Sequence, residues 1–188
     1  MTDIPFSCTC GTVQGYVSVP SAKSGNRVTC HCADCRAAMI HLNQPDPAPD
    51  GIDIWQTLPE HVHFTAGTDH LSAMRLSPRG MFRWYADCCN TPITSTLRGP
   101  RLNVGGFIAA RLSDTSALPP RGAYVFKKQA NGKYRHKGMG HLAWRVAQLM
   151  LSANLSGSWR ENPFFDDTGK PIRTPRTLTR EERKAATP

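Results

Sequence analysis

The chain has 188 residues, 39% hydrophobic and 20% charged, with fifteen Gly and fifteen Pro, which suits one folded domain with a real core plus an extension, built from many turns and short elements. No run approaches the roughly 18 apolar residues of a membrane helix, so a membrane-spanning helical protein is excluded. Residues 1–118 hold nine Lys/Arg against nine Asp/Glu and residues 119–188 hold fourteen against five, so the whole formal excess of +9 belongs to the last part of the chain.

In chain order, the first half reads as strands. Val13 to Val19 alternates loosely before Pro20, and a polar turn over 21–26 leads into Arg27-Val28-Thr29-Cys30. His41 to Gly51, with Pro45, Pro47 and Pro49, reads as an exposed loop. Short strands follow at Ile52 to Gln56, His61 to Phe64, His70 to Leu76 and Met81 to Tyr85, and Leu102 to Leu112 reads as a further strand bulged at Gly105-Gly106. This rhythm predicts an antiparallel, mainly β module over residues 1–118.

Pro119-Pro120 marks the start of a basic extension over residues 119–188. Its main element is a helix at about 141–155, where Leu142, Ala143, Val146, Leu149 and Met150 fall at helical spacing and are expected to pack on the β module. Phe164 to Ile172 reads as two apolar arms around a Gly-containing turn, and Thr179-Arg-Glu-Glu182 as a capping box opening a short helix. Lys127, Lys128, Lys133, Arg135 and Lys137 crowd together, which raises an anionic partner such as nucleic acid, although a solvated face is the commoner meaning of such a run.

All seven cysteines fall in three clusters: Cys8 and Cys10, then Cys30, Cys32 and Cys35, then Cys88 and Cys89. On a strand, residues i and i+2 face the same way, so Cys8/Cys10 and Cys30/Cys32 would each present two sulfurs together, with Cys35 reached by a turn through Ala33-Asp34. Thiolates in such clusters build closed four-ligand or open three-ligand zinc sites, and two sites suit seven cysteines better than one. Met1 to Cys10 lacks a basic start followed by an apolar run, and the cysteine count is odd; zinc in a cytoplasmic protein therefore outweighs a disulfide framework or metal-free reactive thiols.

Cys8-Thr9-Cys10-Gly11, Cys30-His31-Cys32-Ala33-Asp34-Cys35, Phe64-Thr65-Ala66-Gly67 and the Arg83 to Pro92 segment carrying Cys88-Cys89-Asn90-Thr91-Pro92 occur in a telling order and spacing. Over roughly residues 4–112 the chain thereby resembles the glutathione-dependent formaldehyde-activating enzyme and centromere protein V family. The resemblance implies a zinc-bound β-tent with one or two ions. Cys8, Cys10 and Cys89 would belong to a structural site, and Cys30, Cys32 and Cys35 to a second site whose fourth position is open to a small-molecule thiol or thiol adduct. It also implies glutathione as cosubstrate and an activity of the carbon–sulfur lyase type, S-(hydroxymethyl)glutathione synthase-like.

The chain departs from that family at Ala86, where a cysteine is expected three residues before Cys89, while Cys88 stands next door. Three arrangements fit: Cys88 completes a distorted four-thiolate site across a bent backbone, another group supplies the fourth ligand, or the site is partly dismantled. Loss of one cysteine beside gain of another favours the first. Asn90, where the family has Gly, tolerates the left-handed turn it needs.

Outside the cysteines, His31 is expected to point away from the sulfurs of Cys30 and Cys32, and His61 and His63 to share a strand face. Arg83, Trp84 and Tyr85 are expected to pack in the strand, and Asp34 to cap a turn. Enzyme and noncatalytic zinc module with a basic, anion-binding extension both remain open, because a family likeness does not establish activity.

Overall fold

When every second side chain of a strand is apolar, one face is buried, and this rule organises the computed structural model, which describes residues 2–19 and 25–188. In β7 (Phe82–Ala86), for example, Phe82, Trp84 and Ala86 are buried while Arg83 and Tyr85 turn to the other face. The turn expected over 21–26 lies mostly outside the described residues.

The strands form two sheets. β1 (Thr2–Ser7), β2 (Gln14–Val19) and β5 (Val62–Ala66) make a small antiparallel sheet in the order β1-β2-β5. The large sheet adds β3 (Asn26–Cys30), β4 (Ile52–Thr57), β6 (Leu71–Arg75), β8 (Thr91–Thr96), β9 (Gly105–Ile108), β10 (Arg121–Lys128), β11 (Tyr134–Lys137) and β12 (Arg176–Thr177). Its order is β11-β10-β3-β4-β9-β8-β7-β6-β12, antiparallel except where β10 joins β3 and β12 joins β6. The fold is therefore mainly β, with a helical C-terminal region.

Between the sheets lies the main core, where Ile4, Phe6 and Val17 of the small sheet meet Trp55, Trp84 and Phe107 of the large one. Phe6 and Phe107 meet edge to face at 5.1 Å, and the fully buried Trp84 donates its Nε1–H to Thr96 Oγ1 at 2.9 Å. Burying aromatic rings with their polar tips satisfied gives this layer most of its stabilisation. Phe164, from beyond the long helix, closes the core against Phe64 and Trp84.

Helices cover the outer face of the large sheet. α1 (Ala33–His41) and α3 (Arg180–Ala186) pack together over β6, burying Ala37, Ala38, Leu42, Met74 and Ala186. α2 (Met139–Ser156) lies over β3 and β10, with Leu142 against Val28, Ala123 and Val125. It runs between Gly138 and Gly157, both left-handed. Leu142, Val146, Leu149 and Met150 are half-buried, whereas Ala143 and the opposite stripe of Trp144, Leu151 and Leu155 are exposed, the last three by 61–79%.

Several local expectations change. The Ala33-Asp34 turn is instead the first turn of α1, because the Cys32 sulfur caps that helix by accepting from the Cys35 amide at 3.3 Å. β1 and β8 carry no strong sequence signal: each contains a proline, and β8 is threonine-rich, yet Thr91, Thr94 and Thr96 are buried. The extension supplies three strands besides helices, and Asp53 ties its β10 to the β3–β4 pair by binding both Arg27, at 2.8 Å, and Arg121, at 2.9 Å. The capping box at α3 is present, with Glu182 N–H donating to Thr179 Oγ1 at 3.1 Å and Thr179 N–H to Glu182 Oε2 at 2.8 Å. No described helix is long and apolar enough to cross a membrane.

Candidate metal centres

The first centre gathers sulfurs from two turns. Cys8 lies just past β1, and Gly11 at φ +77° turns the chain there, with its amide on Cys8 O at 3.0 Å. Cys10 therefore sits in a turn instead of on a strand, and the turn aims both sulfurs the same way, 3.5 Å apart. Across the structure, the β7–β8 turn bends at Asn90, φ +53°, and brings Cys88 and Cys89 in. Cys88 Sγ lies 3.3 Å from Cys10, 4.0 Å from Cys8 and 3.8 Å from Cys89, and the four sulfurs all fall within 4.8 Å of one another.

Four sulfurs about 2.3 Å from one tetrahedral ion sit about 3.8 Å apart, so this set fits a four-thiolate metal site. Cys88, not Ala86, is the fourth sulfur in the group; Ala86 is fully buried in the core. Surrounding donors favour thiolates. The Val13 amide donates to Cys8 Sγ at 3.2 Å, and the side chain and backbone of Thr12 hold the Cys10 thiol below its ordinary pKa. For Cys89, burial works against the anion, but hydrogen bonds from Thr91, the Cys10 amide and Thr9 bring it down to about 5. Desolvation and the neighbouring thiols push Cys88 up to about 12.

The second centre is built at the β3–α1 junction. Cys30 ends β3, Cys32 caps α1 and Cys35 lies in its first turn, and the three sulfurs fall within 4.8 Å of one another. Hydrogen bonds from Cys30 and then Cys35 hold Cys32 down to about 2, aided by the Arg83 guanidinium, while the same bonds to Cys32 raise Cys30.

All three cysteines line a cleft of about 610 Å³ on the outer face of the large sheet. Its floor includes Val28, Ile54 and Gly106, and its sides include Val125 and Phe126 of β10 with Met139, Leu142 and Val146 of α2. Arg83 also lines it, because the alternation that buries Trp84 in the core turns Arg83 to this face. Arg83 makes no ion pair with a carboxylate among the described residues. Asp34 reaches the cleft too, but it is paired with Arg183 of α3.

The histidines stand apart. His31 turns to a separate pocket, against Gly51, where a Cβ would come within 2.8 Å of its Nδ1. His61 ends the turn before β5, and His63 on β5 stacks on Tyr16 at 4.7 Å, so they do not share a strand face. Sequence reasoning found all seven cysteines but gave Arg83 only a packing role, and it had no signal that α2 and β10 would wall the cleft.

Fold and site together define a mainly β protein with two cysteine groups capable of holding metal ions. The chain belongs to a family of unknown function, DUF6151, whose family model matches residues 1–174. No curated protein matches it. Among solved structures, a Rhodobacter sphaeroides protein is similar at 17% identity and a TM-score of 0.44, over 61% of this chain and 97% of that one.

Proposed function

We propose that the protein is a zinc enzyme of the carbon–sulfur lyase type acting on a thiol adduct of a small aldehyde, with Cys30, Cys32 and Cys35 as ligands of the reactive ion. Cys8, Cys10, Cys88 and Cys89 would hold a second, structural ion. One observation carries the reading: three cysteine sulfurs and no fourth cysteine line a cleft large enough for a small molecule. The motif resemblance to glutathione-dependent formaldehyde-activating enzymes points the same way, and a thiolate-dependent site suits the reducing cytoplasm.

Zinc at three thiolates would supply the Lewis acidity that keeps a thiol deprotonated at neutral pH. The protein does the rest. Three thiolates around a divalent ion carry net −1, and the Arg83 guanidinium offsets that charge. In hemithioacetal formation a carbon–sulfur bond is made while the carbonyl π pair moves onto oxygen, which takes up the thiol proton; the lyase direction reverses this. Arg83 N–H groups suit the charge developing on that oxygen. Leu142 and Val146 present apolar surface to the cleft beside the cysteines.

Metal analysis tests the reading. We expect two zinc ions per chain, about one in Cys32→Ser, and aldehyde–thiol turnover lost in that variant with the fold intact. Wild-type protein without zinc, or Cys32→Ser with full turnover, would overturn it.

A second reading rests on Lys127, Lys128, Lys133, Arg135 and Lys137, all exposed on the β10–β11 hairpin with no carboxylate partner among the described residues. Such a patch suits an anionic partner such as nucleic acid. Retention on DNA that falls with salt, and falls again when Lys127, Lys128 and Lys133 are neutralised together, would support it; retention unchanged by that neutralisation would remove it.

A further inference from the structure

The cleft beside Cys30, Cys32 and Cys35 is poorly matched to a highly charged thiol. Its lining is dominated by Val, Leu, Ile, Met and Phe side chains from β3, β4, β10, α2 and the segments flanking β7, β8 and β9. Two charged side chains, Asp34 and Arg83, and two neutral polar ones, Gln56 and Ser95, line it as well, and Asp34 is already bound to Arg183. Glutathione brings two carboxylates, an ammonium group and two peptide units, each of which loses water on entering such a space. A buried polar group without a partner is costly, and against those five groups the cleft offers one cation outside any ion pair, the Gln56 amide and the Ser95 hydroxyl.

We infer that the cleft takes a thiol, or its aldehyde adduct, whose organic part is apolar and carries at most one anionic group, set on Arg83. This inference rests on the metal-site reading above and changes its substrate class from glutathione to a hydrophobic thiol. The thiol end faces the cysteine cluster, and the hydrocarbon part lies against Val28, Ile54, Leu142 and Val146. The volume of about 610 Å³ is within the range of small-molecule sites and well beyond what formaldehyde with a minimal thiol would fill.

The proposal fixes how affinity depends on the ligand. Each methylene moved from water into an apolar cleft strengthens binding about fourfold until the space is full. A carboxylate at the end of the chain adds to this only while Arg83 is present. Asp34, though it lines the cleft, is held by Arg183 and is not paired with Arg83.

Calorimetric titration of the zinc-loaded protein with 3-mercaptopropionate, 6-mercaptohexanoate, 8-mercaptooctanoate, hexanethiol and glutathione tests this. The expected result is a dissociation constant that falls about fourfold per methylene along the mercapto-acid series, with glutathione weaker than the six-carbon thiols. Val146→Asp should flatten the length dependence with zinc content unchanged, and Arg83→Gln should weaken every thiol, because Arg83 also offsets the charge of the thiolate site, with the mercapto-acids losing at least tenfold more than hexanethiol. The length series needs no variant, so misfolding of either substitution leaves it decisive. Zinc-loaded protein that binds glutathione as tightly as 8-mercaptooctanoate, or shows no dependence on chain length, overturns this inference and leaves the metal-site reading standing. Protein that holds no metal at Cys30, Cys32 and Cys35 overturns both.

Discussion

Asn90 shows how a single backbone choice sets the reach of a metal site. Adjacent residues in extended chain face opposite ways, so Cys88 and Cys89 converge because they lie in the turn over residues 87–90, which Asn90 closes left-handed at φ +53°, a conformation Asn adopts more readily than most residues. Asn90→Val should therefore cost about 1–3 kcal/mol and lower metal occupancy of the four-cysteine site, whereas Asn90→Gly should keep both. Zinc content and thermal melting of the two variants measure this. A second residue, His61, contributes to acid sensitivity: burial lowers its pKa below that of the unfolded chain, opposed by the charge of Glu60 and aided by His63. Between that ordinary value of 6.5 and its lower folded pKa, the unfolded state binds more protons, so the stability His61 contributes is intact above 6.5 and lost as pH falls. Denaturant titrations at pH 7.5 and 5.5 should show a smaller loss for His61→Gln than for the native chain.

Among the elements, β10 has the largest consequence, because it supplies one side of the cleft while reaching the rest of the sheet through β3, with only the edge strand β11 on its other side. Asp53 holds it there by pairing Arg121 with Arg27. Asp53→Asn should cost about 1.5–3 kcal/mol and raise amide exchange in Arg121–Lys128 more than in β7 or β8. The same element marks where sequence reading stopped. Residues 121–128 read as a charge run, because only Ala123 and Val125 alternate inward and the bulge after Tyr124 breaks the pattern. α1 went unrecognised because a cysteine caps it where Ser, Thr, Asp or Asn is usual, and β8 because its buried side chains are threonines. By contrast β2, β3, β4, β7 and the α3 capping box were legible, since their alternation or capping chemistry is local. The three cysteine clusters were legible from spacing, whereas the grouping of Cys8 and Cys10 with Cys88 and Cys89 was expected only from the motif resemblance, and the cleft had no signal: Arg83, Val125 and Val146 lie far apart in the chain and meet only in the assembled sheet.

Over the whole molecule, the four-cysteine group links the β1–β2 turn of the small sheet to the β7–β8 turn of the large one, so a metal there would clamp the two layers beyond what their shared core provides. Because that core is substantial, chelation should loosen the protein without unfolding it: a fall of roughly 10–20 °C in Tm, reversed by zinc, with far-UV circular dichroism retained at 25 °C. Unfolding at 25 °C on chelation would mean that the metal carries the fold and the aromatic layer does not. The large sheet also has two free borders, and they are unlike ordinary strands. β12 is two residues long, and β11 is Tyr134-Arg-His-Lys137, exposed throughout, with two fixed positive charges in four positions. A border too short to template a neighbour and another that repels its own copy stop nine strands from becoming ninety. Concentrated protein should consequently remain dispersed at low ionic strength and begin to self-associate through the hairpin when salt screens Arg135 and Lys137.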